Sequence, residues 1–396
     1  MSNRTTAAIW VKGIADMLAA EGLDVRALLA EAKIDPAALE APGARLSTEK
    51  ISRLWELATE RSGNPGLGLA QHQIARPTSF DVVGYAMMSG ADLRGAFERL
   101  IRYLLILSDA LTMTMREEDA GFRVTFILFG GDRPVPRQRI EFIFVTVIGF
   151  CRWISAREIH PLAVELPYPP PVDPAPHRAA FRCPVEFNAT VASMLFSRAD
   201  LTAPLPTSNR LVADLHERFA GEYLRRFDHA QTSYRAREVI IRRLPDGEPK
   251  RDQVAGELCM SERTMRRRLE DEKTSFIQLL DDTRRELAEQ YLERLHLSLP
   301  QAAYLLGFAD QSSFFRACRR WFDLSPGQYR SQLHKGRAGA DQQRCATAVS
   351  TLCGGRKLCR VEFGERVLGL VQAPDQDKRL TARFSPALRQ ALSQAR

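Results

Sequence analysis

The chain has 396 residues, of which 45% are hydrophobic and 26% charged, and a formal net charge of +8. This composition is typical of a globular protein, and no apolar run reaches the roughly 20 residues that a membrane-spanning helix needs. The N-terminus has neither a basic segment nor a cleavage site, so the sequence predicts a cytoplasmic protein without a membrane partner, long enough for two domains.

The positive charge is unevenly distributed. Residues 1–249 are neutral overall, residues 250–335 carry +2 and residues 336–396 carry +6. A surface that binds nucleic acid therefore has to be identified from the local placement of arginines and not from the isoelectric point. The seven cysteines are an odd number, which indicates free thiols. Cys345, Cys353 and Cys359 have no nearby histidine and lack the spacing of a zinc site, so no metal or other cofactor is predicted.

Residues 12–206 are predicted to form an α+β domain. Apolar residues recur at helical spacing over residues 8–60, which is typical of amphipathic helices. The segment 122–129 is rich in β-branched and aromatic residues and favours a strand. In chain order the sequence predicts helices within 8–60, two more within 80–115, a strand at 122–129, a helix at 136–156, and short strands at 163–166, 181–187 and 192–196.

Residues 207–236 are predicted to be a linker helix and a hinge. A helix at 209–226 carries apolar residues four positions apart, Leu211, Leu215, Phe219 and Tyr223. This stripe is explained either by packing onto the N-terminal domain or by a role as a dimerisation or linker surface. The polar segment 228–234 marks the domain boundary.

The strongest signal in the sequence is an internal repeat. The segment Gln253-Val254-Ala255-x-x-Leu258-Cys259-Met260 is matched 48 residues later by Gln301-Ala302-Ala303-x-x-Leu306-Gly307-Phe308. A polar helix start follows each copy, at Ser261 and at Asp310. Two copies at a fixed offset are stronger evidence than one short amphipathic helix.

Each copy has the residues that a helix-turn-helix unit requires. A small residue early in the first helix, Ala255 or Ala303, lets the two helices approach closely. A leucine at the end of that helix, Leu258 or Leu306, fills the angle between them. A side-chain oxygen then caps the second helix, which keeps its apolar face inward and leaves its polar face free for the major groove.

The two units are predicted at about 251–273 and 299–322, with a long helix between them at 276–295. A helix of that length spans about 30 Å, close to the ~34 Å of one turn of B-DNA. It can therefore place two recognition helices in successive major grooves. Arginines crowd both recognition helices: Arg263, Arg266, Arg267 and Arg268 in the first, and Arg316, Arg319 and Arg320 in the second. Because like charges repel, such clusters favour an anionic partner over a merely solvated helix face.

These residues resemble the AraC/XylS family of bacterial transcription regulators. The resembling stretches are VAGELCMSERTMRRRL, ELAEQYL and LLGFADQSSFFRACRRWFDLSPGQYR. A looser resemblance, to the arabinose-binding-like effector domain that precedes this module, covers residues 12–206 and is carried by the stretches at 53–70, 76–110 and 181–206. The resemblance implies a mainly α chain: an N-terminal α+β effector domain, then an all-α domain of two helix-turn-helix units joined by a long helix at 237–335.

The resemblance also implies double-stranded DNA as a partner. The family's base-reading positions fall on Arg263, Arg266, Arg267, Gln311, Ser312, Phe315 and Arg316. Arginine suits guanine and glutamine suits adenine, while Phe315 either touches a thymine methyl group or packs. RNA polymerase, a small-molecule effector and a second copy of the chain are further expected partners. The chain departs from the family at Cys259 and Lys273, where a turn glycine is usual, and at Cys318, where a core phenylalanine is usual.

The predicted function is a sequence-specific DNA-binding regulator controlled by a small molecule. Candidate effector-binding residues are Phe80, Tyr85, Arg102 and Tyr103, each of which is also explained as ordinary core or surface. The alternative is an effector-independent architectural DNA-binding protein, which would not need a neutral, apolar-rich domain of some 200 residues.

An enzyme is not predicted. Hydrolase serine motifs, phosphate-binding loops and paired metal histidines are missing, and the nearest glycine motif, at 66–70, lacks its final glycine and a preceding strand. His72, His160, His177 and His216 are isolated in the sequence. Residues 336–396 resemble no part of the family and are predicted to form a mostly disordered basic tail, with an extra phosphate-binding arm as the alternative.

Overall fold

The structure, a computed structural model, describes residues 4–70, 75–131, 133–226, 232–334, 358–363 and 366–371. The chain divides into two compact units, Met1–Ala317 and Cys318–Arg396. None of the helices within the described ranges is long and apolar enough to cross a membrane. Nor do these ranges contain a group of three or more His, Cys, Asp or Glu side chains placed to hold a metal ion.

The first part of the larger unit is helical, with one pair of short antiparallel strands. Its elements are β1 (Thr5–Ala7), α1 (Ala8–Ala20), α2 (Val25–Glu31), α3 (Pro36–Glu40), β2 (Arg45–Ser47) and α4 (Thr48–Ser62). Helices α1, α2 and α4 form one core around the fully buried Leu18, Leu28 and Trp55. Ser47 caps α4 by accepting a hydrogen bond from the backbone N–H of Lys50, which satisfies a donor that the helix leaves free.

The second part is built on a five-stranded sheet in the order β3-β4-β7-β5-β6. Its elements are α5 (Asp81–Met88), α6 (Leu93–Leu107), β3 (Leu111–Glu118), β4 (Gly121–Leu128), α7 (Arg137–Ser155), β5 (Ala163–Leu166), α8 (Ala175–Phe181), β6 (Val185–Phe187), β7 (Ala192–Ser197) and α9 (Arg198–Thr202). Neighbouring strands are antiparallel except β5 and β6, which are parallel. The buried aromatic rings of Phe97, Phe126, Phe144 and Phe196 lie in the core of this part.

Two details differ from the sequence-based interpretation. Residues 111–115 were expected to end a helix but belong to β3, because Leu111 and Met113 alternate with threonines at the period of two that a strand imposes. The segment 181–187 was expected to be a strand throughout. It begins with the end of α8, and only Val185–Phe187 is extended.

The rest of the larger unit is helical. It comprises α10 (Arg210–Arg226), α11 (Thr232–Arg243), α12 (Arg251–Glu257), α13 (Glu262–Asp271), α14 (Phe276–Glu293), α15 (Leu299–Leu305) and the beginning of α16 (Gln311–Phe322). Helix α11 packs against α12, α13 and α14, while α15 packs against α14. The predicted fold class, an α+β part followed by a helical part with two helix-turn-helix units, is confirmed.

Helix α10 packs in a way that the sequence did not indicate. Its small or polar residues face α5 and α6, with Ala220 fully buried and His216 Nδ1 lying 3.1 Å from the Ser89 hydroxyl. The predicted apolar stripe is exposed instead at Leu211, Leu215 and Phe219. Packing onto the N-terminal part therefore explains only the last member of the stripe, Tyr223, which lies against the core of that part.

The smaller unit begins inside α16 and continues through a helix at 326–334. Phe322 stacks on Tyr329 with ring centroids 4.0 Å apart. In the tail, β8 (Leu358–Phe363) and β9 (Arg366–Val371) form an antiparallel hairpin. The rest of the tail, like His72, lies outside the described residues, so the prediction that most of the tail is disordered stays a prediction.

Candidate nucleic-acid interface and ligand cavity

The first candidate recognition helix is α13. Its N-cap Ser261 accepts a hydrogen bond of 3.1 Å from the Thr264 N–H, and Met265 and Leu269 are its buried face. The opposite face carries exposed arginines: Arg263, Arg266, Arg267 and Arg268. Arg266 pairs with Glu270 at 3.1 Å, but both side chains are mostly exposed, so the pair leaves the guanidinium accessible.

The second candidate recognition helix is α16. Asp310 caps it by accepting a 2.8 Å hydrogen bond from the Ser313 N–H, and these contacts lower the pKa of the Asp310 carboxyl. Phe314 is fully buried. Phe315 is half-buried with its ring edge against Phe314, which favours its packing role over a base contact. Gln311, Ser312 and Arg316 are exposed on the outer face.

The same backbone turn ends the first helix of each unit. In the first copy the N–H of Met260 bonds to the carbonyl of Ala255 and the N–H of Cys259 to that of Gly256. In the second copy the equivalent turn is centred on Gly307. Cys259 has φ +55° and Gly307 has φ +66°, the left-handed conformation that glycine adopts without a steric penalty. The usual turn is therefore kept although Cys259 replaces a glycine.

Lys273, the other departure from a family glycine, ends α13 in the same left-handed conformation, with φ +58°. Its N–H bonds to the Glu270 carbonyl, and the Thr274 N–H bonds to the Leu269 carbonyl. Cys318, at the position of the usual core phenylalanine, is fully buried. Cys259 and Lys273 thus keep the left-handed turn conformation in which the family usually has glycine, at the cost of local backbone strain.

We expect opposite effects from substitutions at the two equivalent turns. Cys259→Gly should raise the free energy of unfolding by about 0.5–1 kcal/mol, because it relieves left-handed strain. Gly307→Ala should lower it by more than that, since a Cβ there would lie 2.7 Å from the Gly247 carbonyl oxygen in addition to the strain. Urea denaturation measures both. A Cys259→Gly variant that is less stable than the parent chain would contradict this account of the turn.

Arg284 of α14 fixes the turn of the second unit. Its guanidinium donates to the carbonyl oxygens of Leu306 at 2.9 Å and Gly307 at 2.7 Å, and also pairs with Glu248 at 3.1 Å. These carbonyls lie at the C-terminal end of α15, where helix geometry leaves acceptors without partners. The long connecting helix therefore sets the position of the second unit through a buried side chain.

An apolar cavity lies among α1, α4, α6, α7 and the first two strands of the sheet. Its lining residues are mostly apolar and buried, and they include Trp10, Trp55, Phe80, Met113, Leu128 and Arg139. Of the predicted effector residues, only Phe80 lines it. Tyr85 lines a separate cleft together with Lys12 and Tyr223.

The other two predicted effector residues bind helix α10 instead. Arg102 is exposed and pairs with Glu217, and the Tyr103 hydroxyl donates to the backbone carbonyl of Glu217 at 3.3 Å. The sequence analysis missed Trp10, Trp55 and Arg139. Arg139 had one visible signal, a positive charge at the start of a strongly apolar helix.

A polar stripe of α14, continued by the residue that follows the helix, contacts the N-terminal part of the same unit. Glu286 bonds to Arg4, the amide nitrogen of Gln290 donates to the Leu128 carbonyl at 2.9 Å, and Arg294 bonds to the carbonyl of Thr190. Residues four apart lie on one side of a helix. The stripe thus attaches the connecting helix to the α+β part.

The cluster around Glu286 is a network of three charges, one of them buried and two partly buried. Arg4 is almost fully buried and lies 3.7 Å above the Phe129 ring, while Arg237 of α11 pairs with Glu286 at 2.9 Å. Burial opposes ionisation of Glu286, but Arg4 and Arg237 outweigh it and lower the pKa of its carboxyl. Glu286 is therefore the anion that holds two cations from different parts of the chain.

A second contact joins α11 to the sheet. The Thr112 hydroxyl of β3 donates to Glu238 at 2.6 Å. Glu238 is half-buried as a whole residue, and its carboxyl group is the buried part of the side chain. Burial raises the pKa of this carboxyl group to about 7. Arg4, Arg242 and Arg237 act in the opposite direction.

Comparison with known proteins gives two matches to family profiles. Residues 22–205 match the profile described as the arabinose-binding domain of AraC transcription regulator, N-terminal. Residues 254–332 match a helix-turn-helix domain. The second match includes both candidate recognition helices, and the first contains most of the cavity lining.

Several curated relatives match along most of their length. The ornithine utilization regulator of Pseudomonas aeruginosa is 28% identical over 325 residues, which cover 81% of this chain and 95% of the relative. The HTH-type transcriptional regulator VirS of Mycobacterium tuberculosis is 28% identical over 328 residues, covering 81% and 94%. Among solved structures, the transcriptional regulator CdpR from Pseudomonas aeruginosa is 24% identical with a TM-score of 0.39, covering 77% of this chain and 96% of that one.

Proposed function

This chain belongs to the AraC family of DNA-binding transcription regulators, and from that premise we propose that it reads two successive major-groove segments under the control of a small-molecule effector. The observation that carries the proposal is the pair of matching helix-turn-helix units, each presenting exposed polar side chains on its second helix. We infer a regulatory role without catalytic turnover, in keeping with relatives that are named as transcription regulators.

Sequence reading is assigned to the exposed faces of α13 and α16. Arg263, Arg266 and Arg267 are placed to grip guanine or phosphate, and Gln311, Ser312 and Arg316 are placed to contact the second groove, with Phe315 supporting the helix. The connecting helix α14 has 18 residues and is about 27 Å long at 1.5 Å per residue. That length supports contacts in two adjacent grooves.

Effector control is supported by the position of the cavity, because the strands that line it, β3 and β4, also bond to helices α11 and α14. Leu111 and Met113 of β3 line the cavity, while Thr112 between them bonds to Glu238. Side chains alternate between the two faces of a strand. The cavity-lining Leu128 likewise supplies the carbonyl that binds Gln290. A ligand that shifts β3 or β4 would therefore change the contacts that hold the helices of the DNA-binding part.

The expected test of DNA reading uses single arginine substitutions. Arg267→Ala and Arg316→Ala should each weaken binding to the selected operator by about 1–3 kcal/mol, because each removes a base or phosphate contact. The operator is first identified by a genome-wide footprint, and affinity is measured by fluorescence anisotropy at fixed salt. Arg94→Ala, an exposed arginine of α6 paired with Glu98, is the control. Unchanged affinity in both recognition-helix variants, with the protein folded, would refute the assignment.

Two further partners belong to the proposal. The first is RNA polymerase, which a transcription regulator is expected to contact when it is bound at a promoter. The second is another copy of the chain. The exposed side chains of Leu211, Leu215 and Phe219 on α10 support such a dimer, because apolar residues on one helix face are typical of an interaction surface.

A further inference from the structure

The apolar cavity of the N-terminal part contains one cation. Arg139 of α7 is more than nine-tenths buried and lines the cavity. Its Nη1 donates to the Ser52 hydroxyl at 3.1 Å, which satisfies one of its five N–H donors. Burial alone lowers the pKa of Arg139 to about 10, without any contribution from a carboxylate of the described residues. The guanidinium therefore remains protonated at neutral pH and lacks a counter-charge.

A second donor in the same cavity has no acceptor. The indole Nε1 of Trp55 is buried and makes no hydrogen bond within the described part of the chain, and Trp55 also lines the cavity. Buried donors are nearly always paired. An unpaired indole N–H and an uncompensated guanidinium in one cavity are what a site for an anionic acceptor requires.

Both donors line the cavity, and each belongs to a residue at the contact between α4 and α7. Ser52, which holds Arg139, and Trp55 are three residues apart on α4, so they are neighbours on its surface. On α7, Arg139 is likewise three residues from Phe142, whose ring lies 5.6 Å from that of Trp55. The opposing faces of α4 and α7 thus carry the guanidinium and the indole N–H into the same cavity.

The rest of the lining is apolar. Trp10 meets Phe80 and Phe142 edge to face at 5.6 Å, and the remaining walls are supplied largely by leucine, isoleucine and methionine side chains. The hydroxyls of Thr6 and Ser108 also line it but bond to each other at 2.8 Å. The polar contacts on offer to a ligand are therefore the donors of Arg139 and Trp55.

We propose that this cavity binds a small apolar monocarboxylic acid, whose carboxylate pairs with Arg139 and accepts from Trp55 while its hydrocarbon body fills the apolar walls. The proposal rests on the effector role proposed above and names the ligand class. A neutral sugar or a zwitterionic amino acid fits less well, because the described lining offers no acidic group for an ammonium and few free partners for several hydroxyls. The cavity volume is about 50 Å³, space for roughly three to five water molecules, so the acid is small or widens the site on binding.

The test measures binding to the purified full-length protein. The probes are butyrate, hexanoate, octanoate and phenylacetate, each paired with its neutral amide. Tryptophan fluorescence is a direct readout because Trp10 and Trp55 line the cavity, and calorimetry supplies the affinity. We expect at least one acid to bind and its amide to bind about 10- to 100-fold more weakly, as is typical when a hydrogen bond to a charged group is lost.

The decisive variant is Arg139→Met, which keeps the volume of the side chain and removes the charge. Because Arg139 has no acidic partner, we expect this variant to fold with equal or higher stability and to bind the acid about 10- to 100-fold more weakly, with the amide unaffected. The matched control is Lys12→Met, which removes a cation from the separate cleft that Lys12 and Tyr85 line. Equal acid affinity in Arg139→Met, or a loss confined to Lys12→Met, would overturn the assignment.

Operator titrations separate this inference from the proposed function. If an acid binds through Arg139 but leaves operator affinity unchanged, the site stands and effector control fails. If none of the acids binds, yet a ligand of another class changes operator affinity, the carboxylate assignment is wrong and effector control stands.

Discussion

Replacing Glu286 by alanine is expected to lower the free energy of unfolding by about 3 kcal/mol, because it leaves two buried or partly buried cations without their anion. Arg4 and Arg237 both bond to Glu286, with side chains 5% and 13% exposed. Removing one partner of a buried ion pair costs more than the pair itself contributes, since the remaining charge stays desolvated. Chemical denaturation gives the free energy, and hydrogen exchange of α11 and α14 shows whether these helices separate from the sheet.

The matched control lies on the same helix. Glu289→Ala removes a partly exposed glutamate that pairs with the exposed Arg285 at 3.7 Å, and pairs at the surface contribute at most about 1 kcal/mol. Combining Glu286→Ala with Arg4→Met should recover part of the lost stability, because the uncompensated charge is removed as well. If Glu286→Ala costs no more than Glu289→Ala, the three-charge cluster does not hold α14 to the α+β part.

The helix-turn-helix units were predictable because their determinants are local. The alanine, leucine and N-cap positions act within some twenty residues, and each fixes a contact that recurs in the second copy. The repeat even extends to the backbone, where Cys259 takes the left-handed conformation that Gly307 has. The turn of the second copy is one residue longer, so its capping residue Asp310 comes 49 residues after Ser261.

The cavity was not predictable because its residues come from distant segments. Phe80 was found among the candidates, but Arg102 and Tyr103 contact α10 and Tyr85 lines another cleft. Arg139 lines the cavity and bonds to Ser52 only because α7 packs against α4 in the folded chain. A single sequence does not reveal that pairing, since a charge near a helix start is more often exposed.

The docking of α14 was also beyond the sequence. Glu286, Gln290 and Arg294 stand four residues apart, and a polar stripe of this kind is usually a solvated helix face. Here it contacts Arg4, Leu128 and Thr190 instead. A periodic pattern distinguishes an apolar face from a polar one, but it does not show which polar face meets another part of the chain.

The contact between Thr112 and Glu238 predicts a pH dependence of stability. Burial raises the pKa of the Glu238 carboxyl from 4.5 to about 7, so between these pH values the folded chain holds a proton that the unfolded chain releases. The stability contributed by this group is therefore complete below pH 4.5 and is lost as the pH rises to about 7. The loss is at most about 3 kcal/mol, and less to the extent that solvent reaches the half-buried residue.

Glu238→Gln tests the sign. The amide accepts the Thr112 hydroxyl without carrying a charge, so we expect the variant to match the parent chain near pH 4.5 and to be more stable at pH 8, with the difference growing between the two. Urea denaturation across that range measures it, and Glu60→Gln, an exposed residue of α4, serves as the control for an ordinary carboxyl. Arg4, Arg237, Arg242 and Tyr234 also surround this carboxyl. A difference that is constant with pH, or one that shrinks toward pH 8, would mean that these arginines outweigh burial and keep Glu238 ionised.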